Sequence, residues 1–179
     1  MKSIATIIVL ALIVAPNASA QLTPSTSGPD CSVAVFVPDY SDCRGSFDGN
    51  DTGTSLGNTL SYISNTWTSM YGVGIAEQGG SGDPSGIISF SSAYSQFVLV
   101  LKASTYFSMY YFDGTEGSLN EVVYETNGTA LNPKGSPQEL SHWTLYATSV
   151  SVPEPGTFLL IGTGLLGMAA LRRRREDVA

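Results

Sequence analysis

Basic residues are scarce in this chain. It holds eight Lys and Arg against 15 Asp and Glu. Half of the basic residues stand together, at Arg172, Arg173, Arg174 and Arg175. Between Gln21 and Pro155 only Arg44, Lys102 and Lys134 are basic, against 13 acids. That stretch carries a net charge of about −10, which argues against phosphate backbones and anionic headgroups as its partners. Nucleic acid is therefore not expected as a partner. Histidine occurs once, at His142, and cysteine twice, at Cys31 and Cys43. Two cysteines with one distant histidine do not make a zinc site. Strongly amphipathic helical stretches are missing from the body, which argues against a helical bundle.

What is present begins at the two ends. Met1-Lys2-Ser3 is a short basic start, followed by an apolar run from Ile4 to Val14. Ala18-Ser19-Ala20 then supplies small residues before Gln21. These features read as a signal peptide over residues 1–20, cut between Ala20 and Gln21.

At the other end, no charged side chain occurs from Gly156 to Leu171. As a helix this run would reach roughly 24 Å. A hydrocarbon core is about 30 Å thick, so the span is short but can cross with local thinning and arginine snorkelling. Arg172–Arg175 should remain cytoplasmic, because basic residues beside a span are retained inside. Before the run, Pro153 and Pro155 bracket Glu154. Proline fixes φ and lacks an amide donor, so Pro-Glu-Pro stays extended and separate from the helix.

Val152-Pro153-Glu154-Pro155-Gly156, the short Gly/Leu-rich span and the arginine cluster together resemble the PEP-CTERM sorting domain. The resemblance implies that Pro153, Glu154 and Pro155 are a recognition motif. It also implies that Arg172–Arg175 are the cytoplasmic stop. The expected partner is an exosortase-type transpeptidase of the inner membrane, with exopolysaccharide as a further partner. Such a tail is also labelled an ice-binding protein C-terminal domain. Ice binding needs a flat, repetitive threonine array, and no internal period is visible.

The intervening residues suit one domain. Residues 21–30 (QLTPSTSGPD) read as a flexible polar linker, and residues 31–149 as the exported domain. Residues 150–155 form the linker with the Pro-Glu-Pro motif. Residues 156–171 are the transmembrane sorting helix, and 172–179 the cytoplasmic tail. In an exported chain, an even cysteine count points to a disulfide between Cys31 and Cys43, with two buried thiols as the alternative.

Within the domain, Ser32–Val37 reads as a strand and Pro38–Thr54 as a loop. Leu56–Ser64 is ambiguous and could be a short helix. Trp67–Glu77 reads as a strand. Gly86–Phe90, Phe97–Lys102, Tyr106–Phe112 and Leu140–Thr148 are further strands, with Asp113-Gly114 as a turn. Phe97–Lys102 is apolar on both faces and should be central. This spacing predicts a mainly β fold, an antiparallel β-sandwich. Asp42-Cys43-Arg44-Gly45, Val98–Ala103 and Tyr110–Gly114 also look like a body recurrent among PEP-CTERM proteins, which implies no activity.

Three features could carry chemistry. A Ser-His-Asp triad would need a hydroxyl, His142 and a carboxylate converged in space. A packed histidine is the plainer reading. Asp48, Asn50 and Asp51 lie on a Gly-rich loop of calcium-binding composition, yet EF-hand spacing is absent and Asx turns account for the same residues. Tyr106, Tyr110, Tyr111 and Tyr124 could stack sugars, although aromatics are favoured in strands anyway. Asn50-Asp51-Thr52 and Asn127-Gly128-Thr129 match the glycosylation pattern and also suit turns.

The expectation is an exported, membrane-tethered surface or matrix protein, with a non-catalytic domain and no cofactor. A carbohydrate- or calcium-binding module is the alternative. A secreted hydrolase comes third, favoured only if His142 faces a cleft with a carboxylate and a hydroxyl.

Overall fold

A computed structural model describes residues 21–148. In chain order it contains β1 (Phe36–Val37), β2 (Asp42–Asp48), α1 (Leu56–Thr66), β3 (Val73–Gly79) and β4 (Ser85–Tyr94). β5 (Phe97–Ala103), β6 (Tyr106–Phe112), β7 (Leu119–Glu125) and β8 (Leu140–Thr148) follow. The strands form two antiparallel sheets, one in the order β1-β7-β4 and one in the order β2-β6-β5-β8-β3.

β5 is the middle strand of the larger sheet because it has no polar face to turn outward. All seven of its residues are buried. Side chains alternate along a strand, so Phe97, Leu99 and Leu101 join one cluster and Val98 and Val100 another. The first cluster also takes Phe36, Ile88, Phe90, Val122 and Tyr124 from the smaller sheet, so the two sheets share one core. Each fully buried residue of this size stabilises by about 1.5–3 kcal/mol.

The second cluster faces α1. Leu56, Leu60 and Ile63 recur at helical spacing, and Ile63 is fully buried against Val98, Val100, Phe107 and Met109. A helical layer on the back of the larger sheet is thus added to the expected pair of sheets. Its sequence is rich in Ser, Asn and Thr and has no charges. Such residues have low helix propensity, so packing, not propensity, holds this segment helical.

Four sequence expectations change. Ser32–Val37 is not one strand, since Cys31–Val33 is a 3-10 turn and only Phe36–Val37 pairs, with β7. Trp67–Glu77 is not one strand. Thr68–Met70 is a 3-10 turn, Gly72 has φ of +75°, and the strand starts at Val73. Trp67 is the extended residue that ends α1, and its ring stacks on Tyr111 with centroids 5.2 Å apart.

Pro38–Thr54 is not all loop, since β2 pairs with β6. Its polar composition conceals an edge strand whose register shifts between Arg44 and Phe47. Gly45 sits there at φ +137°, where an added Cβ would fall 2.9 Å from the Ser108 Cα.

Residues 21–30 do not run free as a linker. Pro24 bridges Phe47, and Ser25 N donates to Ser46 O at 2.6 Å. Unpaired backbone groups at the β2 edge recruit this segment. Nearby, a disulfide joins Cys31 to Cys43, with their Cα atoms 6.0 Å apart.

Among the described residues no helix is long and apolar enough to cross a membrane. The signal segment 1–20, the motif Pro153-Glu154-Pro155, the span 156–171 and Arg172–Arg175 lie outside the described residues.

Candidate functional site

Strand alternation sends Trp143, Leu145 and Ala147 of β8 toward the smaller sheet and leaves His142, Thr144 and Tyr146 on the α1 side. On that side β8 lies against β5 with Lys102 opposite His142, Val100 opposite Thr144 and Val98 opposite Tyr146. Asp51 enters this row from the connection between β2 and α1. Its side chain has no exposed surface.

A buried carboxylate is costly unless donors surround it. His142 Nε2 lies 2.7 Å from Asp51 Oδ1. The Tyr146 hydroxyl donates to Asp51 Oδ2, and it also lies 3.1 Å from the Asp51 carbonyl oxygen. Burial pushes the Asp51 carboxyl up. The His142 hydrogen bond, Thr144, the His142 charge and Tyr146 together outweigh that and hold it below the ordinary carboxylate value. The Thr144 hydroxyl is buried beside this carboxylate and meets no partner at hydrogen-bonding geometry. Burial, with the Asp51 charge and hydrogen bond, drives the Tyr146 hydroxyl far upward. Lys102 is buried and donates to the Ser104 carbonyl. Burial lowers its ammonium, and the Asp51 charge partly offsets that.

An ionised carboxylate only accepts hydrogen bonds. Asp51 therefore requires the hydrogen on Nε2 of His142. When the ring is neutral, its lone pair is then on Nδ1, which bonds no described residue. His142 keeps 27% of its side-chain surface and lines a cleft of about 420 Å³ with Thr52, Gln78, Gly79 and Gly80. The structure thus brings together an imidazole, a buried carboxylate behind it and a threonine on the same cleft wall.

Other sequence candidates do not converge. Asp48 and Asn50 are exposed, and Asn50 Oδ1 accepts from the amide of the next residue, Asp51. Asp51 turns inward to His142, so the loop does not present three oxygens to one calcium ion. Among the described residues no cluster of three or more His, Cys, Asp or Glu forms. The tyrosines share no face either. Tyr110 belongs to the core between the sheets, and Tyr111 to the cluster under α1. Tyr124 is buried, and Tyr106 bonds Ser27. The Asn127 side chain donates to the Val33 carbonyl at 2.8 Å.

Spacing along the chain does not single out Asp51 as the partner of His142, and a Gly-x-Ser-x-Gly elbow, not expected in this chain, has its pattern in Gly53-Thr54-Ser55-Leu56-Gly57. That run stands at the entrance to α1. It does not form a strained nucleophile elbow. Ser55 has ordinary helical angles, φ −88° and ψ −10°, and does not line the His142 cleft. A second groove, about 560 Å³, lies along α1 between Gln21, Asn58, Ser61, Tyr62 and Asn65 and has no charged lining.

Residues 151–175 match the family model of the PEP-CTERM protein-sorting motif. The match takes in Pro153-Glu154-Pro155 and the four arginines. No curated protein and no solved structure matches the chain.

Proposed function

We propose that this is an exported, membrane-tethered surface or matrix protein, delivered through its C-terminal sorting motif. The sorting-motif match over residues 151–175 carries the reading. In it, residues 1–20 direct export and are cut at Ala20–Gln21. The segment 156–171 holds the chain in the inner membrane, with Arg172–Arg175 inside and the β-sandwich domain outside. An exosortase-type transpeptidase then grips the extended Pro153-Glu154-Pro155 and removes the tail. Release delivers the domain to the cell surface or an exopolysaccharide matrix.

Sorting asks for no chemistry from the domain, and the expectation of a non-catalytic body rests on the tail alone. The observation that bears against it is the His142 cleft.

The test separates an address from a plain anchor. Changing Pro153-Glu154-Pro155 to three alanines leaves the span and arginines intact. It lets the peptide become helical and removes its carboxylate. In a host carrying the matching exosortase, the parent should lose the mass beyond about residue 155, while the variant accumulates uncut in the inner membrane. Equal processing of both would refute the sorting reading.

A further inference from the structure

We infer that Asp51 and His142 form a general-base site that adds water to small, uncharged O-acyl esters held in the adjoining cleft. This goes beyond the sorting proposal and does not depend on it. Three observations converge. Asp51 holds His142 through Nε2, which leaves the Nδ1 lone pair without a partner among the described residues. His142 is the sole titratable side chain on the wall of the cleft. The cleft is large enough for a small ligand, since ligand sites start at about 300 Å³.

The lining selects the substrate. Thr52, Gln78, Gly79 and Gly80 are uncharged, so nothing on that wall repays the desolvation of an ionic substrate. The reaction class follows from magnitude. A positioned general base contributes about 10²- to 10⁴-fold in rate. That is ample for an ester and far short of what an amide requires.

In the step itself, Nδ1 takes a proton from water as the water oxygen bonds to the acyl carbon. The carbon–oxygen bond to the alcohol then breaks. The departing oxygen recovers the proton from Nδ1–H, giving one acid and one alcohol with no change of oxidation state. Asp51 stays ionised, keeps the ring oriented and stabilises the transient imidazolium. Tyr146 and Lys102 act behind Asp51: one donates to it, and the other places positive charge near it.

The experiment uses the full chain in detergent, with 4-nitrophenyl acetate as probe and free imidazole at matched concentration and pH as reference. Because His142 is the sole histidine, no other imidazole contributes. The protein should exceed free imidazole by about 10²-fold or more. Its rate should fall in deuterium oxide, because a proton moves from water in the step. The charged and titratable groups facing His142 are Asp51, Lys102 and Tyr146; α1 carries no charge, and its Tyr62 packs on Phe47.

His142→Gln retains an amide N–H for Asp51 but has no base, so it should fold and drop to the buffer rate. Asp51→Asn should lose at least about tenfold of the rate. Ser55→Ala should retain the parent rate. Circular dichroism and a urea midpoint confirm the fold of each variant. A parent rate no higher than free imidazole, or full activity in His142→Gln, overturns the site. Loss of activity in Ser55→Ala, or no slowing in deuterium oxide, overturns water attack as the step.

Discussion

The two faces of the larger sheet are filled by different chemistry. Toward the smaller sheet, β5 presents Phe97, Leu99 and Leu101, which meet Phe36, Ile88, Phe90 and Tyr110. Ring contacts dominate there, as in the stacked pair Phe97–Phe112 with centroids 4.6 Å apart. Toward α1 the same strand presents Val98, Val100 and then Lys102. Apolar packing continues along that row until Lys102, where a charged cluster replaces it. The difference is one of tolerance. A face closed by a second sheet has no water to share, whereas the α1 face is open at one end. A charged row can persist there only with partners, and Asp51, His142 and Tyr146 supply them.

This comparison predicts its own order of damage. Leu99 is fully buried between the sheets, so Leu99→Ala should be the most disruptive. It should cost about 2–5 kcal/mol, read as a lower urea midpoint. A loss below 1 kcal/mol would mean that the shared core is looser than described.

The second effect lies on the polar face. Asp51→Asn keeps the volume but weakens the bonds to His142 and Tyr146, and should cost about 1–3 kcal/mol near neutral pH. Its pH dependence is diagnostic. The Asp51 carboxyl is held below its ordinary value in the folded state. Its contribution is therefore present above the unfolded value, about 3.9, and is lost as pH falls through the lowered folded value. The gap between parent and variant should narrow on acidification, measured as urea midpoints from neutral pH down to acid. A gap that stays constant would detach Asp51 from the acid limb.

A smaller effect is expected where the donor survives. His142→Gln should shift stability by less than about 1 kcal/mol, since an amide replaces the ring N–H. A loss as large as that of Asp51→Asn would show that the positive charge of His142, not its hydrogen bond, holds the carboxylate.

The smallest effect belongs outside both faces. Ile87 lies on the outer side of the smaller sheet and is 64% exposed. It stands in one cross-strand row with Val123 and Val37. Ile87→Ser should change stability by no more than about 0.5 kcal/mol, in the same urea measurement.

Much of the strand pattern was legible because it is local. Phe97–Lys102 is apolar at every second position on both sides except at its end, and a strand of that kind must be sandwiched. Asp113-Gly114 marked a turn, and Gly114 has φ of +90° there. The elements misread or left ambiguous were those whose partners are remote. β2 has polar residues and becomes a strand by pairing with β6. α1 has poor helix formers and becomes a helix by covering Val98, Val100 and Met109. Trp67 looked like a strand residue and instead closes the helix against Tyr111.

The sorting motif and the candidate site stand at opposite ends of this scale. The motif's proline pair, apolar run and arginines are adjacent in the chain, so the sequence alone identifies it, as the match over residues 151–175 records. The sequence also names a single histidine and a loop of acids, but it cannot say which acid meets that histidine. Asp51 and His142 are 91 residues apart. Only the pairing of β8 with β5, with α1 laid across them, brings the two together, because a side-chain contact depends on distance in space and leaves no trace in spacing along the chain.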